Sequence, residues 1–146
     1  MKKIIINTDG GSRGNPGKAA VGLVIQNAKG EKIKTFFKVI GNATNNEAEY
    51  GALIFALQKL KAVFGKEKIK SMEIEIRMDS ELAVKQLNGE YKIEEEKLFP
   101  LYIKVHNLLL ESGKVIFKSI PREQNKEADF LVNQALDAEQ SSMFTN

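Results

Sequence analysis

Four acidic residues, Asp9, Glu49, Asp79 and Asp129, stand where an acid invites a chemical explanation. Asp9 follows the apolar run Ile4–Ile6, and Asp79 follows the alternating Met72, Ile74, Ile76 and Met78. Glu49 lies three and four residues before Ala52 and Leu53, and seven before Ala56, which puts it on the apolar stripe of a helix. A carboxylate aimed inward needs a partner, because burying an unpaired charge is very costly. Asp129 falls in the first turn of the last helical segment. Each acid also has an ordinary role open to it: an Asp-Gly turn at Asp9, a capping box of Asn46 with Glu49, a helix cap at Asp79, and dipole complementation at Asp129. Taken together they point elsewhere. Carboxylates that converge repel unless a cation binds them, and an all-oxygen set suits Mg²⁺ or Mn²⁺.

The intervening pattern says whether they can converge. Ile4–Thr8, Ala20–Gln26 and Lys32–Ile40 read as strands, the last two separated by a turn at Ala28-Lys29-Gly30. The run from Gly10 to Gly17 reads as a glycine-rich loop, open to close approach by phosphate or sugar. A helix begins near Asn46 and stops at Gly65, with Glu47 off its apolar stripe and solvated. A strand ends at Asp79, a short helix spans Ser80 to about Leu87, and Asn88-Gly89 breaks the chain. Leu98–Glu111 reads as a helix, Lys114–Ser119 as a fifth strand and Asn125–Leu136 as a final helix. The order βββαβααβα predicts an α/β fold with a mixed five-stranded sheet and helices packed on it. Asp9 and Asp79 would then end adjacent parallel strands, the edge at which open α/β sheets bind ligands.

Composition sets the bounds. With 146 residues and 42% hydrophobic content, one packed domain is expected over residues 1–138, followed by a polar tail at 139–146. The absence of cysteine removes disulfides, thiolate metal sites and cysteine nucleophiles. The apolar run near the start is too short for a membrane span or a secretion signal, so a cytoplasmic protein without membrane association is expected. Residues 1–46 carry eight Lys/Arg against Asp9 and Glu31, a charge of +6 that suits a polyanionic partner.

Four segments, in order and spacing, resemble the signatures of type 1 ribonuclease H. They are Thr8–Gly17 (TDGGSRGNPG), Thr44–Glu49 (TNNEAE), Asp79-Ser80 and Pro121–Asp129 (PREQNKEAD). The resemblance covers residues 2 to 136. It implies an endonuclease that hydrolyses the RNA strand of RNA–DNA hybrids, leaving 5′-phosphate and 3′-hydroxyl ends. It implies that Asp9, Glu49, Asp79 and Asp129 are the catalytic carboxylates and bind two metal ions, with Asp9 bridging them. One ion would activate a water and the other would stabilise the leaving oxygen. It further implies that Gly10, Gly11, Ser12, Asn15, Asn45, Asn46 and Glu81 line the minor groove or sense ribose, and that Thr44 contacts a phosphate of the DNA strand. A monomer bound to a hybrid duplex is the expected working form.

Two departures stand out. Many bacterial members carry a histidine in the loop before the last helix, whereas Ser119–Asn125 has none; Arg122, Glu123 or Asn125 is expected to serve product release instead. The only histidine, His106, lies on the long helix among apolar positions and is expected to be structural or solvated. The link Asn88–Lys97 is too short and too acidic for the basic protrusion of some relatives. Two other readings, a catalytically weak hybrid-binding module and another nuclease of the same fold, predict a missing acid or a different glycine-rich segment.

Overall fold

Alternating apolar residues build the centre of the molecule. A computed structural model describes residues 2–144, with side chains through residue 140. Three antiparallel strands come first: β1 (Lys3–Gly14), β2 (Gly17–Asn27) and β3 (Lys32–Ala43). Helix α1 (Asn45–Phe64) follows, then a single helical turn, α2 (Lys66–Ile69), and strand β4 (Glu73–Met78). Helix α3 (Glu81–Leu87), helix α4 (Phe99–Leu110), strand β5 (Lys114–Ser119) and helix α5 (Lys126–Phe144) complete the chain.

The sheet runs β3-β2-β1-β4-β5, mixed as expected, with β1–β4 and β4–β5 parallel. On one face Ile4, Ile6, Leu23, Ile25, Ile74 and Ile76 are fully buried against Leu53, Leu57 and Leu60 of α1. Each such side chain contributes about 1.5–3 kcal/mol relative to exposure. On the other face α5 lays Ala128, Leu131, Val132 and Leu136 over Ala20 and Val24 of β2. That contact is close. A Cβ on Gly22 would lie 2.6 Å from the Ala128 carbonyl oxygen, so β2 must be bare there for α5 to seat.

Several boundaries differ from the sequence reading. The glycine-rich run is not a loop. β1 pairs with β2 without interruption from Ile4↔Asn27 to Gly14↔Gly17, leaving only Asn15 and Pro16 as the turn. Asp9 therefore sits inside a strand; what ends near it is the pairing with β4, whose last register is Asn7↔Arg77. Helix α1 starts at Asn45 rather than Asn46. Its N-cap is Thr44, whose hydroxyl accepts from the Glu47 amide at 3.1 Å while Glu47 Oε1 accepts from the Thr44 amide at 2.9 Å. The capping box is thus Thr44 with Glu47, and Glu47 is partly buried rather than solvated. Helix α5 continues to Phe144 instead of ending at Leu136, and Lys18 pairs with Glu139 at 3.2 Å, so residues 139–144 belong to that helix rather than to a loose tail. Thr145 and Asn146 lie outside the described residues. Among the described residues no helix is long and apolar enough to cross a membrane.

Candidate active site

The site forms where β1 leaves β4. Asp9 points to the α5 side of the sheet, buried at 6% exposure. Beside it the first turns of α1 bring Glu49, and the segment after β4 brings Asp79. Capping geometry frees both acids. At α1 the cap is Thr44 with Glu47, so Glu49 is not used by the helix end. At α3 the cap is Ser80, whose hydroxyl accepts from the Ala83 amide at 3.2 Å, so Asp79 is not used either. Carboxylate oxygens of Asp9, Glu49 and Asp79, one from each, all lie within 4.8 Å of one another. Asp129, exposed in the first turn of α5, borders the same cleft, and its charge acts on Asp9.

Electrostatics record the strain of this arrangement. Burial, the charges of Asp79 and Asp129, and the hydrogen bond with Asp129 push the Asp9 carboxyl up to about 8, against the pull of the Gly10 backbone. Burial and the charges of Asp9 and Asp79 hold Glu49 well above the usual carboxylate range, with Arg122 opposing. Glu49 Oε2 is out of contact with solvent and has no hydrogen-bond partner. A buried carboxylate oxygen of this kind, among oxygen donors only, fits a divalent cation of the Mg²⁺ or Mn²⁺ type.

The acids border a cleft of about 390 Å³ that also includes Gly10, Gly11, Ser12, Arg13, Asn45 and Arg122. One wall is a small polar lattice. The Ser12 amide and hydroxyl both donate to Asn45 Oδ1, at 3.0 and 3.1 Å, and the Asn45 amide donates to Asn15 Oδ1 at 3.0 Å. The acceptor of Asn45 is thereby occupied, which leaves its side-chain NH₂ as the group it offers to a ligand. Asn46 turns away to donate to Glu95 at 3.3 Å. Thr44 is taken up by the helix cap. Glu81 is exposed and pairs with Lys85 at 3.0 Å, outside the cleft. Gly10 lines the cleft, yet its missing side chain also makes room for α1.

Of the loop residues, Arg122 borders the cleft and Glu123 is exposed. Asn125 is different. It is 1% exposed, and its Nδ2 donates to the Thr8 carbonyl at 2.9 Å and to Asp79 Oδ2 at 3.2 Å. It pins α5 to β1 and orients an acid of the site, a placement that sequence reasoning could not see because loop residues are usually solvated. Asn125→Ala is expected to cost about 1–2 kcal/mol and to slow turnover about tenfold by releasing Asp79. Thermal melting and kcat measured together test this; unchanged turnover in a destabilised variant would count against the orienting role.

A mixed sheet in this order, with carboxylates gathered at the shared end of β1 and β4, is the architecture of ribonuclease H-like nucleases. Comparison with known proteins agrees. A family model described as reverse transcriptase-like matches residues 7–135. Ribonuclease HI of Halobacterium salinarum is 42% identical over 129 residues, covering 88% of this chain and 62% of that protein. A bifunctional protein of Mycobacterium tuberculosis is 39% identical over 137 residues, covering 93% of this chain and 36% of that protein. The chain thus spans from about a third to under two-thirds of the length of these relatives. Among solved structures, LC11 ribonuclease H1 from compost in complex with an RNA/DNA hybrid superposes with a TM-score of 0.89 at 46% identity, covering 94% of this chain and 99% of that one. The Halobacterium salinarum ribonuclease H1 structure gives 0.84 at 40% identity, covering 93% and 98%. The chain belongs to the type 1 ribonuclease H family.

Proposed function

We propose that this protein hydrolyses the RNA strand of RNA–DNA hybrids, producing 5′-phosphate and 3′-hydroxyl ends. The observation that carries the reading is the Asp9–Glu49–Asp79 cluster, with its orphaned Glu49 oxygen, opening into a cleft walled by Ser12 and Asn45. A relative of the same fold has been seen with a hybrid bound. Two divalent cations held by Asp9, Glu49, Asp79 and Asp129 would supply an activated water and stabilise the leaving 3′ oxygen. Asp9, which lies among the other acids, would be one of the residues that hold the cations. Asn125 holds Asp79 in orientation. Asn45, fixed by Ser12 and Asn15, presents a donor toward the minor-groove side, where the 2′-hydroxyl distinguishes RNA from DNA. Arg122 places a positive charge near Glu49, at the rim where a scissile phosphate would pass.

The direct test compares labelled RNA–DNA, RNA–RNA and DNA–DNA duplexes with and without Mg²⁺. Metal-dependent cleavage of the RNA strand of the hybrid, with the DNA duplex left intact, is the expected result; cleavage of the DNA duplex or none at all would overturn the reading.

The loop without histidine makes a separate prediction. His106 is exposed on α4 and does not border the cleft, so His106→Ala should leave the rate and its pH dependence unchanged. Arg122→Ala should lower turnover about tenfold with little change in hybrid affinity, as expected of one charge acting on the reacting phosphate. Turnover of both variants on one hybrid across pH 5 to 9 checks this. A larger effect from His106 would assign proton transfer to the wrong part of the molecule.

A further inference from the structure

Outside the catalytic cleft, on the flank formed by β3 and α1, lies a cluster of lysines that form no ion pair among the described residues. Phe36 of β3 and Phe55 of α1 meet edge to face, ring centroids 6.3 Å apart at 80°. Lys34 Nζ lies 5.1 Å from the Phe36 centroid and Lys38 Nζ 5.6 Å from that of Phe55. Lys59 Nζ serves both rings, at 4.9 and 5.5 Å. Lys34 and Lys59 share one ring, so their charges stand no more than about 10 Å apart, roughly a Debye length at moderate salt. Lys104 of α4 joins Lys38 and Phe55 along a groove that reaches Ala43 and Glu47. Among the described residues, none of these four ammonium groups forms an ion pair. Glu47, the acid at the far end of the groove, has one of its oxygens committed to the helix cap.

Lysine stems commonly cover exposed rings, and that accounts for the methylenes here. It does not account for three ammonium heads gathered over one pair of rings without a counter-charge, whereas Lys3, Lys32, Lys61 and Lys85 each pair with a Glu. Like charges kept together are stabilised by an anion that spans them. A nucleic acid duplex carries one charge per about 1.7 Å of its axis, so about 10 Å of it offers several phosphates to such a cluster.

We propose that Lys34, Lys38 and Lys59, supported by the Phe36–Phe55 pair, form a second contact with the phosphate backbone of the bound duplex, outside the catalytic cleft. The proposal rests on the nucleic-acid reading above. Strand β3 leads from this cluster to Thr44, the cap residue at the cleft's edge: ten residues from Lys34 to Thr44, about 33 Å of strand. That is about ten base-pair steps of duplex. Seated in the cleft, a hybrid of about 8 base pairs, roughly 27 Å long, falls short of Lys34, whereas one of about 24 passes all three lysines.

The test uses the full chain with Lys34→Gln, Lys38→Gln and Lys59→Gln combined, and a matching triple Lys→Arg variant. Binding to labelled hybrids of about 8 and about 24 base pairs is followed by fluorescence anisotropy in EDTA, over a range of salt. Wild type should bind the longer hybrid more tightly, and the Gln variant should lose most of that advantage. The slope of log affinity against log salt should fall by about 2 to 3 on the long hybrid, one contact being worth about 0.9. The Arg variant should keep the wild-type slope. Melting temperatures should be equal or higher in the Gln variant, since repulsion is relieved. An unchanged slope on the long hybrid, an Arg variant that behaves like Gln, or wild-type binding that ignores length would each overturn the proposal. Cleavage of the short hybrid in Mg²⁺ by the Gln variant reports on the catalytic reading alone, and should match wild type.

Discussion

Asp9→Asn is expected to reduce hybrid cleavage by about a thousandfold or more while making the metal-free protein more stable at alkaline pH. The first half follows from position. Asp9 is the acid that faces Glu49, Asp79 and Asp129 alike, and losing several kcal/mol of charge stabilisation at the reacting centre corresponds to about that factor. The second half follows from linkage. The Asp9 carboxyl is raised from 3.8 to about 8 in the folded chain, so between those values the native state holds a proton that the unfolded chain has released. Stability from this group is complete below about pH 4 and is lost as pH rises through about 8. Asparagine holds no ionisable proton, so the variant lacks this loss and also relieves Glu49 of its nearest charge. At pH 8.5 in EDTA the variant should melt roughly 5–10 °C above wild type, a few kcal/mol at 2–4 °C each for a chain of this size. At pH 4 the gap should close. Mg²⁺ should raise the wild-type midpoint at pH 8.5 and do much less for the variant, since the cation takes the place of the proton. Parallel melting curves across pH, or residual cleavage near the wild-type rate, would sink the account.

How much of this was legible in the sequence depends on which physical signal each residue leaves. Glu49 was legible because a helix stripe has a fixed period and an acid on it is conspicuous; the structure aims it at Asp9. The parallel pairing of β1 with β4 followed from the strand–helix–strand order. Glu47 was misread because it lies off the apolar stripe and the cap was placed two residues late, at Asn46 with Glu49 instead of Thr44 with Glu47. The glycine-rich run was misread because glycine locally signals a turn. Its role in pairing with β2 is set by what packs above and below, which no local pattern displays. Asn125 was singled out only as a loop residue for product release, and nothing in the sequence marked it as buried. Its bonds to Thr8 and Asp79 span 117 and 46 residues of chain, and only the docking of α5 on the sheet creates them. The lysine cluster was half visible, as an excess of positive charge in the first 46 residues; Lys59, from α1, could not be joined to it without the fold.

Gly10→Ala should be the most damaging single-methyl change near the site. Gly10 pairs with Val21 in ordinary extended backbone, so its need for glycine is not conformational. The need is for space. A Cβ there would stand 2.1 Å from the Ala48 carbonyl oxygen and 2.8 Å from the Glu49 amide nitrogen. Both are backbone atoms of α1, so no side chain can rotate aside; the helix itself must retreat from β1 by about an ångström. Overpacking a core usually costs about 1–3 kcal/mol, and a clash with helix backbone belongs at the top of that range or above. A loss of about 3 kcal/mol lowers the midpoint by roughly 6–12 °C. Retreat of α1 also draws Glu49 away from Asp9, and displacement of that size at a catalytic group can cost about a hundredfold in rate. The neighbouring glycine separates packing from chemistry. At Gly11 a Cβ would meet only Val132 Cγ1 at 3.6 Å, an ordinary contact, so Gly11→Ala should melt within about 1 kcal/mol of wild type. Gly11 still lines the cleft, and its methyl would project where the resemblance places the substrate, so its effect should appear in KM. Gly10→Ala should instead lose stability and kcat together. If the two variants melted alike, the close approach of α1 to β1 would not be what fixes Glu49, and the geometry of the site would need another origin.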